Sequence, residues 1–271
     1  MNMPFSPEQQ TLVRILDRDD ANEMARIDAF VMAHREGTPF HRPVWLTSIS
    51  KATGHEWRYI ISEDAEGGLT GILPLHLIHS ALFGRALVSS GFAVGGGILT
   101  TSERVKAKLA DAAWQFAERH SFPSIELRGG NFDGEGWRNN SDVYAGFLRD
   151  LAQNDEDQLL AIPRKQRAEV RKGLKNELDV RIGCGTQDIA DHYRIYAESV
   201  RNLGTPVFPK ALFEEVMSGF GSDADILTVV SDGQPVASVL SLYHNGVVMP
   251  YWGGGTWEAR RLRANDVLYY A

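Results

Sequence analysis

Apolar positions along this chain recur with a period near 3.6 in some stretches and near 2 in others, and the two rhythms alternate in order. Met24, Ile27, Phe30 and Val31 share one face of a helix predicted from about Asp20 to Glu36. Trp45 and Ile49 follow, then a strand from Trp57 to Ser62, a turn over Glu63–Gly68 and a strand from Leu69 to His79. A further extended run, Ala86 to Phe92, leads into Gly95-Gly96-Gly97. Ser102 is placed to cap a helix that ends near Arg119, with Leu109, Ala112, Ala113 and Phe116 turned inward. The strand Ser124 to Arg128 closes this block.

The same order returns about 165 positions later. Ile189, Tyr193, Tyr196 and Val200 line one face of a helix predicted from about Gln187 to Arg201, with further helical turns at Lys210 to Gly219. Strands are predicted at Asp225 to Val230, Pro235 to Tyr243 and Val247 to Trp252. Ser231-Asp232-Gly233-Gln234 separates the first two, and His244-Asn245-Gly246 carries the Asn-Gly signal of a tight hairpin between the others. The last strand runs into Gly253-Gly254-Gly255, and a helix is predicted to start near Asn265. In the first block that helix runs about four turns and a strand follows it; here about two turns remain before Ala271, so the second block is expected to be incomplete. The expected division is one domain over residues 1–150 and another over 151–271.

Composition narrows the function classes. With 28 Lys and Arg against 35 Asp and Glu, the net charge of −7 gives no general affinity for nucleic acid or anionic lipid, so a polyanion has to be met by a local basic patch. Such a patch exists: Arg164, Lys165, Arg167, Arg171, Lys172 and Lys175 stand within twelve positions against a single Glu169. At helical spacing Arg164, Arg167, Arg171 and Lys175 share a face, which is either a phosphate-binding surface or a solvated one. The single cysteine, Cys184, rules out an intrachain disulfide. The N-terminal residues lack a signal-peptide pattern, and no run approaches the ~20 apolar residues that span a bilayer, so a cytoplasmic protein without a transmembrane segment is expected. No histidine spacing suggests a metal site, and no Ser-His-Asp or Cys-His arrangement suggests a nucleophile, leaving catalytic residues unassigned.

Several strings in the two blocks stand out. They are Thr38-Pro39-Phe40-His41-Arg42-Pro43-Val44-Trp45, Gly71-Ile72-Leu73-Pro74-Leu75 and Leu82-Phe83-Gly84-Arg85-Ala86-Leu87-Val88-Ser89 in the first block. In the second they are the basic run from Ile162 to Lys172, Asn202-Leu203-Gly204-Thr205-Pro206-Val207, Pro250-Tyr251-Trp252-Gly253-Gly254-Gly255 and Ala264-Asn265-Asp266-Val267. These strings resemble those of FemAB-related transferases of the GNAT type, most of all the branch that accompanies exosortase and exopolysaccharide gene clusters. That family continues with an Asp-Phe-Gly-Arg-bearing strand and a Trp-Gly segment, and neither follows these strings here.

The resemblance implies an α/β (α+β) fold of tandem GNAT-like acyltransferase domains with mixed central sheets, the second incomplete. It implies transfer of an acyl or aminoacyl group to an amine on a cell-envelope or exopolysaccharide-related acceptor, a small or glycan-linked molecule, between the domains. The donor is acyl-CoA or aminoacyl-tRNA; DNA is not a partner, and no permanently bound cofactor or metal is implied. The alternative is a non-catalytic protein that holds RNA or a glycan diphosphate on the basic helix. Candidate substrate contacts are Arg164, Arg167, Arg171, Lys172, Tyr251, Trp252, His41 and Trp45. Gly253, Gly254, Gly255 and Asn265 are candidate donor contacts, because backbone amides free of side chains can approach an oxyanion or pyrophosphate.

Overall fold

A computed structural model describes residues 11–16, 20–80, 82, 84–130, 132–140 and 144–271. Met1–Gln10, read above for a signal pattern, and Phe83 of the quoted strings lie outside the described residues. The chain divides into two compact units, Met1–Asn139 and Asn140–Ala271. Each has α/β architecture.

The first unit runs β1 (Leu12–Leu16), α1 (Ala21–Ala33), α2 (Pro43–Thr53), β2 (Glu56–Glu63), β3 (Leu69–Ser80), β4 (Gly84–Val88), α3 (Glu103–Arg119) and β5 (Ile125–Glu126). Its sheet has the order β1-β2-β3-β4-β5, antiparallel except for the parallel pair β4–β5. Alternation along β2 and β3 sends Ile60, Leu73 and Leu75 towards Val105, Leu109, Ala113 and Phe116 of α3. Ser102 caps α3 as its sequence predicts, accepting from the Val105 amide. The extended run expected to reach Phe92 stops at Val88, because Ser90 and Phe92 take positive φ and turn the chain. β1 has no counterpart in the sequence reading; it is held by Arg14, which reaches Glu63 at 2.7 Å and Glu23 at 2.7 Å.

The second unit contains α4 (Asp155–Ala161), α5 (Arg164–Gly173), β6 (Leu178–Gly183), α6 (Thr186–Asn202), α7 (Lys210–Phe220), β7 (Ala224–Ser231), β8 (Gln234–His244), β9 (Val247–Gly255), α8 (Trp257–Leu262) and α9 (Ala264–Leu268). Its strands lie in chain order, β6-β7-β8-β9, and each described pair is antiparallel. The expected hairpins form, with Asp232 and Asn245 at positive φ in their turns. Val229, Ala237 and Val239 face Ala259, Ala264, Val267 and Leu268 of the α8–α9 segment. The opposite face receives α6 and α7.

The final helix differs from expectation. Helix begins at Trp257, capped by Thr256, and is broken at Arg263, whose φ of 56° ends α8 and starts α9. The string Arg260-Arg261-Leu262-Arg263 obscures the apolar period of so short a helix.

Candidate functional site

Gly253, Gly254 and Gly255 are the last residues of β9, not a loop, and pair with Val239, Ser238 and Ala237 of β8. The ladder bulges earlier: Leu240 faces Trp252 and Ser241 faces Pro250, leaving Tyr251 as the extra residue. The Thr256 amide donates to the Val236 carbonyl at 2.8 Å. Hydrogen-bonded and non-bonded pairs alternate in an antiparallel ladder, so from this bond the N–H and C=O of Gly253 and Gly255 point away from β8. Among the described residues no strand pairs with that side of β9.

Both faces of the glycine run are occupied by the protein itself. A Cβ on Gly254 would lie 2.6 Å from Ser199 Cβ on α6, and one on Gly255 would lie 2.9 Å from Ala259 Cβ and 2.6 Å from Asn265 Oδ1. The absent side chains therefore let α6 and the α8–α9 segment close on the sheet. Only the strand's edge is left for a ligand. Asn265 turns its amide onto Gly255 rather than outward, with Oδ1 buried. Two of the amides that follow are already used: Trp257 N–H donates to Glu198 Oε1 at 2.8 Å, and Thr256 Oγ1 caps the Ala259 amide. These bonds leave fewer free donors at this helix start for a pyrophosphate.

Arg164, Arg167, Arg171 and Lys172 do come together, with Ala168 and Lys175, on one exposed flank of α5. The opposite flank is bolted to the α8–α9 segment. Glu169 Oε2 meets Arg263 Nε at 2.7 Å, Gln166 bonds Asp266, and Asn176 Nδ2 donates to the Leu262 carbonyl at 2.7 Å. Gly173 allows this approach, because a Cβ there would stand 2.6 Å from Val267 Cγ2. Glu169 is also paired with Lys172 at 2.7 Å, and the Lys172 ammonium, then Arg263, holds its carboxyl below the ordinary range. Arg164, Arg171 and Lys175 have no carboxylate within ion-pair distance among the described residues.

Of the remaining predicted contacts, Trp45, His41 and Trp252 are buried. Trp45 is fully buried and donates from Nε1 to the Gly91 carbonyl at 3.1 Å. His41 is buried with Nδ1 2.8 Å from Thr38 Oγ1, its backbone carbonyl accepting from the Tyr59 hydroxyl. Trp252 packs edge-on against Phe213, 4.9 Å between ring centres. Burial gives these three side chains a place in the packing of their units. Tyr251 remains half-buried at the bulge, its ring beside Trp252.

One polar cluster escaped the sequence reading. Thr228, Ser238 and Gly254 are consecutive cross-strand partners, so they form one row across the sheet on the α6 side. Above it His192 Nδ1 lies 2.8 Å from Ser238 Oγ, and burial pushes the imidazole down to about 4. His192 Nε2 and Thr228 Oγ1 are buried and make no hydrogen bond within the protein. His192 stands on an otherwise amphipathic helix without a motif around it, and no sequence signal marks it.

Residues 164–271 match the family described as acetyltransferase (GNAT) domain. Among curated proteins nothing matches. Among solved structures, FemX is similar at 13% identity and a TM-score of 0.66, over 95% of this chain and 84% of that one. A tandem GNAT protein from the clavulanic acid biosynthesis pathway is similar at 13% identity and a TM-score of 0.51, over 96% and 84%. The fold is thus that of tandem GNAT-like acyltransferases. No described helix is long and apolar enough to cross a membrane.

Proposed function

We propose that the chain is an N-acyltransferase whose donor lies along the open edge of β9. The observation that carries this reading is the pair of outward peptide groups at Gly253 and Gly255, within the segment that matches the GNAT acetyltransferase domain. An extended, amide-bearing arm such as that of an acyl-coenzyme A can add to such an edge as a further strand. The edge supplies backbone donors and acceptors at strand spacing, and glycine leaves no side chain beside them.

In the proposed step an amine nitrogen attacks the thioester carbonyl. A C–N bond forms, the C–S bond breaks, and the thiolate takes up the proton that nitrogen gives up. A peptide N–H of the β9 edge is placed to donate to the carbonyl oxygen as negative charge develops there. No general base is assigned. His192 is buried and too weak a base near neutral pH to be matched to that task. The acceptor class, an amine on a cell-envelope or exopolysaccharide-related molecule, rests on the FemAB-like strings and agrees with the FemX-like fold.

The test is to incubate the intact chain with acyl-coenzyme A donors and, separately, aminoacyl-tRNA, together with amino sugars and peptidoglycan-precursor amines. Products are detected by mass and, for the thioester donors, by release of thiol. Acyl transfer from the thioester supports the proposal. Transfer from aminoacyl-tRNA alone replaces the donor, and absence of binding to coenzyme A and to every donor sinks the reading.

A further inference from the structure

We infer that the exposed flank of α5 is a docking surface for an anionic lipid membrane. This goes beyond acyl transfer and does not depend on it.

The flank presents Arg164, Arg167, Arg171 and Lys175 in a row, with Arg164 and Arg171 about 10 Å apart along the helix axis. In a protein of net charge −7, none of these four cations has a carboxylate partner among the described residues. Arg167 uses only Nε, donating to the Ile162 carbonyl at 3.1 Å. The helix is not loose, since its other side is fixed by Glu169–Arg263, Gln166–Asp266 and the close contact at Gly173.

The shape of the surface selects among polyanions. Sites for a small diphosphate are concave and draw convergent groups from several elements. Here the hollow is lined by one helix and the residue just beyond it, so its cations lie in a line. A nucleic-acid strand would be met by aromatic side chains on which bases stack, and Arg164–Lys175 contains none. Between the cations stands exposed Ala168. A row of guanidinium and ammonium groups with a small apolar residue among them fits phosphate headgroups above an acyl boundary. Such docking would hold the second unit at the surface where a lipid-linked amine is presented.

The experiment is co-sedimentation of the full chain with phosphatidylcholine vesicles, with and without a third of phosphatidylglycerol. The expected result is binding to the anionic vesicles only, released by high salt. Arg164→Ser/Arg171→Ser should weaken that binding about twenty-five-fold, taking roughly a fivefold loss for each basic residue removed. Both side chains are exposed, and circular dichroism would check that the variant folds. Equal binding to neutral vesicles, unchanged binding by the folded double variant, or release by low concentrations of inorganic pyrophosphate or an RNA oligonucleotide would overturn the inference.

Discussion

Glu169 Oε2 and Arg263 Nε meet at 2.7 Å, joining the basic helix α5 to the residue whose left-handed backbone separates α8 from α9. The same carboxylate holds Lys172, so one side chain links the flank that carries the cations to the segment that backs the β9 edge.

That junction depends on Gly173. Gly173→Ala should push α5 from α9 and destabilise the second unit by about 1–3 kcal/mol, the usual range for overpacking. Val267→Ala in the same chain should restore part of the loss. Urea unfolding of the four variants of this cycle checks both, and an additive pair would exclude the contact as the cause.

Gly254 gives a second steric test. Gly254→Ala places a methyl group against Ser199 and should lower the unfolding midpoint, whereas the same change at exposed Gly246 should not act through a clash. Ser199→Gly costs about 1 kcal/mol alone as a glycine inside a helix, yet should soften the Gly254→Ala defect.

The β9 edge can be tested without its side chains. Gly253→Pro removes the outward N–H, and Tyr269→Phe clears the hydroxyl that a Cβ would approach at 2.6 Å. The double variant should bind coenzyme A at least tenfold more weakly than Tyr269→Phe alone, with an unchanged circular dichroism spectrum. Equal affinities in calorimetry would remove the edge from the donor site.

His192 and His76 are each held down to about 4 by burial, from an ordinary 6.5. Between those values the unfolded chain binds protons that the folded chain does not, so stability rises with pH. It is lost as pH falls from about 6.5 towards 4, by up to roughly 3 kcal/mol per histidine. His192→Gln should flatten that dependence for the second unit. A denaturation midpoint equal at pH 7 and pH 5 in the parent chain would contradict the buried neutral state.

Trp45→Ala and Trp252→Ala should each cost about 3–5 kcal/mol of stability as deletions from packed cores. If the proteins remain folded at low temperature, acceptor KM should be little changed. A large KM effect at intact stability would return these residues to the binding surface.

Periodicity made most of the fold legible. Ser102 caps α3, and Asp232-Gly233 and Asn245-Gly246 turn the β7–β8–β9 hairpins, because capping and left-handed turn positions demand few residue types. β6 was missed because Val180 and Ile182 alternate with Asp179 and Arg181 on an exposed edge beside a highly charged helix. The clustering of cations on α5 was legible from spacing alone. That Trp45 and Trp252 face inward was legible only as one of two readings, since an aromatic residue at a strand end or in the first helix pair can pack or bind. Nor could spacing reveal that the three glycines accommodate helices on both faces of the sheet, or that His192 finds Ser238 forty-six positions away.

The row from Thr228 through Ser238 to Gly254 has a consequence for how α6 seats. A helix laid over uniformly apolar strands can slide by a turn at little cost, because oil meets oil in every position. Here a slip would bury His192 Nδ1 and Ser238 Oγ without each other and drive Ser199 away from the only place in the row with room for it. The polar row works as a keyway: it admits the helix at one setting, the one that pairs His192 with Ser238 and seats Ser199 over Gly254.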